Sequence, residues 1–262
     1  MKHLAAALWT ELLKVRCSRI VWLTAASISL APIIGGLFMF ILKDPELARR
    51  LGLIGAKAQL VAGTADWPTF LGLLDQAAAI GGLFVFGFVA VWVFGREYSD
   101  RTMKDLLALP TPRWAIVAAK LTVVVVWSMA LTVLMYALGF AVGAIVGLPE
   151  WSLEAVLNAA GNFSITAALT IALITPVCFI ANVGRGYLAP LAFVILTLAL
   201  AQVIAILGHG GYFPWSVPSL HSGVTEGSTE QLNIASYIVV ALVSLAGLAT
   251  TLFWWNRADQ TH

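Results

Sequence analysis

Charge is what this chain has least of. Asp, Glu, Lys and Arg supply 11% of its 262 residues, against about 25% in a soluble globular domain. With 60% hydrophobic residues and a mean hydropathy of +0.92, that scarcity excludes a soluble fold and identifies an integral membrane protein. Cysteine is nearly absent as well. Cys17 precedes the first apolar run and Cys178 stands late in the fourth, so no disulfide framework is implied. The formal net charge of +2 is too small to point to nucleic acid, which is not expected as a partner.

Catalytic signatures are missing too. There is no HExxH, no G-x-S-x-G and no paired-aspartate constellation, and Asp75, the one acid close to a span interior, has no evident partner in the sequence. GLIGAK at 52–57 resembles half a phosphate loop but lacks the Gly-x-x-x-x-Gly-Lys-Ser/Thr spacing and a preceding strand. The chain is therefore not expected to hydrolyse ATP. His209 and His221 belong to no ligand motif, and no metal site is expected.

What the chain has in abundance is long apolar runs. They lie at about 20–42, 73–95, 115–147, 158–181, 186–207 and 234–255, each reaching the ~20 residues a bilayer-spanning helix requires. The expected fold is all-α and polytopic, one transmembrane domain over 1–262 with six spans. The first run follows nineteen residues that include Glu11, unlike a cleaved signal peptide, so the N-terminus is expected to be retained. With that end inside, eleven of the fifteen Lys and Arg residues fall on the cytoplasmic side. Lys43, Arg49, Arg50 and Lys57 fall outside, and both termini are expected to be cytoplasmic.

Residues 1–19 have the pattern of an interfacial helix. Leu4, Ala5, Leu8, Trp9, Leu12, Leu13 and Val15 occupy one half of a helical wheel, and His3, Thr10, Glu11, Lys14 and Ser18 the other. A plain basic flank that only sets topology is the other reading. A second surface helix is expected within 46–63, between Pro45 and the GTADWP turn. The stretch 208–233 is rich in Gly, Pro and Ser and is expected to be an outer loop, with Tyr212, Phe213 and Trp215 at the membrane interface. GGLFMF at 35–40 and GGLFVF at 81–86 are too short a match to establish an internal repeat.

Two stripes inside the spans are candidates for a pathway or a dimer seam. Gly139, Gly143 and Gly147 recur every fourth residue, which lets another helix backbone approach closely, whether for simple packing or at a seam. Asn158, Asn162, Thr166 and Thr170 repeat at the same interval along the fourth run. They line a polar pathway or subunit seam, or satisfy one another between helices. Pro32, Pro176 and Pro190 are expected to kink helices or mark their ends.

The densest charge lies in GREYSDRTMKDLLALPTPRW, residues 95–114. Its polar and apolar residues segregate on a 100° wheel, predicting an amphipathic helix over 96–109 that Pro110 and Pro112 stop. Glu97 with Arg101, Asp100 with Lys104 and Arg101 with Asp105 stand at i,i+4, each pair contributing about 0.2–0.5 kcal/mol on an exposed helix. A rigid mixed-charge face of this kind suits docking; a solvated helix that merely orders the loop is the plainer alternative.

These residues resemble those of ABC-2-type transporter permeases, the membrane subunits of a class of ATP-binding-cassette exporters. Glu97, Thr102, Leu106-Leu107, Pro110, Arg113 and Lys120 match the family's pattern after the second span, and Arg101 stands where the family commonly has Gly, as in the bacitracin-resistance-like branch. ELLKVR at 11–16 is similar to the family's interfacial elbow, and YFPWSVP at 212–218 to the segment before its last span. The resemblance implies a bacterial or archaeal cell membrane, a second permease copy and two copies of a separate ATPase. No cofactor is expected in this chain, ATP and Mg being bound by the ATPase. It also implies that 96–109 is the coupling helix, with Glu97, Asp100, Arg101, Thr102, Lys104, Asp105, Arg113 and Arg185 as the docking set. Export of an amphipathic or hydrophobic substrate such as an antimicrobial peptide, drug or lipid would follow. A non-transporting assembly or sensory subunit and an intramembrane enzyme are the rival classes.

Overall fold

The computed structural model describes residues 2–44, 50, 64–223 and 232–257. The chain begins with α1 (Lys2–Arg16) and bends into α2 (Ile20–Lys43). There follow α3 (Trp67–Ser99), the short α4 (Met103–Ala108), α5 (Arg113–Val146), α6 (Leu153–Ala172), α7 (Thr175–Val183) and α8 (Leu188–Ile206). Two single 3-10 turns, Gly210–Tyr212 and Pro214–Ser216, lead into α9 (Val217–His221), and α10 (Ile234–Arg257) ends the bundle. Six of these elements are long and apolar enough to cross a membrane: α2, α3, α5, the joined pair α6–α7, α8 and α10. The chain is thus an all-helical, multi-pass membrane protein. The helix expected within 46–63 lies outside the described residues apart from Arg50.

Local chemistry sets the element boundaries. α3 starts six residues before its apolar run because Asp66, in an extended conformation, accepts the Thr69 N–H at 2.8 Å, and Pro68 sits in the first turn, where no N–H is required. Burial opposes the charge on Asp66, but hydrogen bonds from Thr64 and Thr69 outweigh it and hold the carboxyl below its ordinary value. α5 closes at Gly147, whose φ of 66° is left-handed. Lys43 Nζ donates to the Val146 and Gly147 carbonyls there, at 2.8 Å each. A cation at a helix C-terminus favours the dipole, which gives one of the four minority-side basic residues a structural task.

The fourth run is not one helix. α6 stops at Ala172, and α7 restarts at Thr175 with Pro176 in its first turn, where the missing N–H is harmless. Thr175 Oγ1 donates to the Ser244 carbonyl at 2.7 Å, fixing the break to α10. Pro190 likewise lies in the first turn of α8, and Pro32 lies inside α2.

α3 is the axis of the bundle. Two thirds of its apolar window (67%) is buried, against 22% for α2 and for α5. Phe70, Leu74, Phe86, Val89 and Phe94 make its core face, packed by α2, α5, α6, α7 and α8. In lipid the drive for this arrangement is close packing rather than water exclusion. The segment 210–221, expected to be an outer loop, instead folds back into the bundle: Val217 and Leu220 are fully buried, and Ser216 Oγ donates to the Ala201 carbonyl at 3.0 Å.

Candidate docking and coupling site

The amphipathic helix expected over 96–109 is two pieces. α3 runs on to Ser99, the chain turns at 100–102, and α4 covers only Met103–Ala108. Arg101 makes the turn with a φ of 57°, a left-handed conformation that costs a non-glycine residue roughly 1–2 kcal/mol. The Asp100 N–H then returns to the Arg96 carbonyl at 2.8 Å, and the Thr102 N–H to that of Glu97 at 3.0 Å. The turn separates the three expected i,i+4 pairs. Arg96 pairs with Asp100 at 3.0 Å instead.

Glu97 faces inward. Its Oε1 accepts from Lys14 Nζ at 2.7 Å and from Lys120 Nζ at 3.0 Å, while Oε2 accepts from Thr102 Oγ1 at 2.6 Å. Lys120 is fully buried and uses all three of its protons, on Glu97, on the Val93 carbonyl at 3.0 Å and on the Glu11 carboxylate at 3.3 Å. Lys14 also reaches Glu11 Oε1, at 2.8 Å. Two carboxylates and two ammonium groups thus form a closed, net-neutral network that joins α1, α3, α5 and the turn before α4. Burial opposes the charge on Lys14, but Glu11 and Glu97 outweigh it, so its ammonium is held above the ordinary value of 10.5.

α1 is consequently oriented by its polar side. Glu11 is buried against the bundle, whereas Trp9, Leu12 and Leu13 are exposed. Glu11 and Lys14 of the polar half meet protein, while His3 and Thr10 stay exposed.

An apolar anchor complements the charges. Met103 is 3% exposed and packs with Ile116 and Val117 of α5 and Trp255 of α10, flanked by Leu106 and Leu107. Beside it Asn182 Oδ1 accepts from Trp255 Nε1 at 2.9 Å and from the Tyr98 hydroxyl at 3.4 Å. Arg113 Nη1 donates to the Trp255 and Asn256 carbonyls at 3.2 Å each, capping α10. α4 is thus joined to α3 and α1 through Thr102 and Glu97, and to α5 and α10 through Met103.

The docking residues read from the sequence divide accordingly. Asp100, Arg101, Thr102, Lys104, Asp105 and Arg185 lie exposed at one end of the bundle, and Leu109 and Trp114 add exposed apolar surface there. Glu97 is buried and Arg113 is half-buried, so both hold the surface in place from behind. Sequence reasoning misses Glu11 and Lys14 as members of the Glu97 network and Met103 as the anchor of α4. The available signal was Lys120 inside the third apolar run, a charge that membrane burial obliges to find a counter-charge.

The two stripes also divide. A Cβ at Gly139 would collide with Leu74, and one at Gly143 would lie 2.6 Å from Trp67 Cη2. Gly139 and Gly143 let α5 approach α3 within the same chain, and Gly147 is a helix cap. Thr166 and Thr170 are buried, but Asn158 and Asn162 lie exposed on the outside of α6. A four-residue repeat drifts by about 40° per step, enough to part the ends of the stripe.

The family profile described as "ABC-2 family transporter protein" matches residues 7–202. The chain is also similar to the bacitracin transport permease protein BCRB of Bacillus licheniformis, at 26% identity over 180 residues, covering 68% of this chain and 85% of that protein. No solved structure matches the chain.

Proposed function

The chain belongs to the ABC-2 transporter family as a membrane-spanning permease, and on that premise we propose that it is driven by a separately encoded ATPase that docks on the exposed turn 100–109. The observation that carries this reading is the pairing of an exposed mixed-charge turn with a buried neutral network directly behind it. A surface helix that merely ordered a loop would have no need of three buried charges and a half-buried fourth. The turn offers Arg101, Lys104 and Asp105 without ion pairs among the described residues, and the network converts movement of the turn into movement of α1, α3 and α5. ATP-driven closure of the ATPase would shift the spans between inward-open and outward-open or closed arrangements, a population shift set by differential binding.

Substrate would pass at the junction of two permease copies. The amides of Asn158 and Asn162 on the outer face of α6, without hydrogen-bond partners among the described residues, support that placement, since amides facing lipid are costly. The relative named as a bacitracin transport permease favours a peptide antibiotic or a similarly amphipathic molecule as substrate, and the resemblance to ABC-2 exporters favours outward movement. The basic-residue asymmetry supports cytoplasmic termini, which puts the turn on the ATP side.

The test is to solubilise the tagged chain from its native membrane and identify by mass spectrometry any soluble protein retained in stoichiometric amount. An ATPase held by the wild type and lost from Arg101→Glu/Lys104→Glu is expected. Recovery of the wild type alone, or with partners that are not ATPases, overturns the reading.

A further inference from the structure

A second group of buried polar side chains lies at the other end of α3. Asp75 is 7% exposed, about 33 Å from Glu97 along the same helix. Facing it are Thr166 of α6, which is fully buried, and His221 at the end of α9, whose imidazole is within electrostatic reach of the carboxylate. Asp75 Oδ1, Thr166 Oγ1 and His221 Nε2 are all shielded from solvent, and none makes a hydrogen bond of good geometry among the described residues, although the Thr166 hydroxyl lies near enough to Asp75 to favour its carboxylate. The other titratable groups facing this cluster are Tyr136 of α5, whose hydroxyl donates to the Val156 carbonyl at 3.3 Å, and Tyr237 of α10, whose hydroxyl lies 2.9 Å from His221 Nδ1.

Each such atom carries a desolvation penalty, and an acid inside a membrane helix adds more. Three of them on three different elements, turned toward one another, are not accounted for by packing. Their chemistry is complementary. When Nδ1 accepts from Tyr237, Nε2 carries the imidazole proton and can donate to Asp75, as can the Thr166 hydroxyl. A small approach of α9 to α3 would complete the bond from His221, while Thr166 of α6 holds the carboxylate from the other side. Gln76 Nε2 already donates across the same gap to the Gly223 carbonyl at 3.4 Å.

We propose that Asp75, Thr166 and His221 form a latch that fastens the folded-back segment 210–221 to α3, made when the segment seats on the helix and broken when it lifts. Because α3 carries Glu97 at its opposite end, the latch ties that segment to the docking turn through one continuous helix. Its meaning as a gate rests on the transport reading above; the latch itself does not.

The test uses the full chain alone in lipid nanodiscs, with Cys17→Ser and the buried Ser219→Cys as reporter. The rate of labelling by a membrane-impermeant maleimide reports how often the segment lifts. Asp75→Asn and His221→Phe are each expected to accelerate labelling about tenfold, and the double variant no further, the signature of coupled partners. Thr166→Val should accelerate it as well, and Thr166→Ser should restore the wild-type rate. Unchanged rates, or single effects that multiply in the double variant, overturn the latch. Since no ATPase is present, that result leaves the docking proposal standing, and failure to recover an ATPase leaves the labelling result standing.

Discussion

Lys120 Nζ lies 3.0 Å from Glu97 Oε1 with no solvent access, and this pair is the point at which α1, α3, α5 and the turn before α4 are joined. Removing one member of a buried pair leaves the other uncompensated, at a cost of about 3–5 kcal/mol. Glu97→Gln and Lys120→Met should each lower the thermal midpoint in detergent sharply. The double variant Glu97→Gln/Lys120→Met should recover part of the loss, measured by the same melting curves.

Lys14 gives the network a pH limit on the alkaline side. Its value is raised on folding, so its contribution is complete below the ordinary value of 10.5 and is lost as pH rises through the higher folded value. Stability should therefore carry no Lys14-dependent change between neutrality and about pH 10. The difference in melting between wild type and Lys14→Met should be constant there and shrink at higher pH.

Arg101 occupies a backbone conformation suited to glycine, with φ 57°. Arg101→Gly should relieve roughly 1 kcal/mol of strain, offset in part by added chain entropy. The folded chain should melt no lower than wild type, while retention of the ATPase falls with the lost charge. Arg101→Val, which cannot adopt this conformation cheaply, should melt lower.

Met103→Ala removes the apolar anchor of α4 and should cost about 2 kcal/mol locally. The expected phenotype is separation of activities, with the ATPase still bound and substrate-stimulated ATP turnover reduced. Turnover assays on the purified complex check it.

Gly143→Leu must displace Trp67, whose ring is 2.6 Å from the new Cβ, and should destabilise the chain itself by about 1–3 kcal/mol. Asn162→Leu should leave monomer melting unchanged and alter the association of two copies. Analytical ultracentrifugation distinguishes the two.

Hydrophobic run length located the spans, because a crossing must be long, apolar and helical, even the fourth, which breaks between α6 and α7. The thirty-four residues of α5 (Arg113–Val146) follow the long third run closely. Periodicity failed at 96–109 because a 100° wheel remains amphipathic across a turn. The only local signal was Arg101 standing where the family commonly has Gly, and a left-handed arginine leaves no trace in hydropathy. The Glu97 network was illegible for a different reason. Its members lie 83 and 109 positions apart in two of its contacts, and single-sequence reading cannot pair charges at that range. Asp75 stood out as an isolated acid, but its neighbours Thr166 and His221 come from segments read as a stripe and a loop.

The claim that the turn 100–109 receives the ATPase is tested most directly by placing a photo-crosslinking amino acid at Lys104 and, separately, at Trp22 and Phe253 on the exposed apolar surface. Irradiation in native membranes should give an ATPase adduct from position 104 and none from positions 22 or 253. An ATPase adduct from the apolar positions with none from 104 would contradict the account.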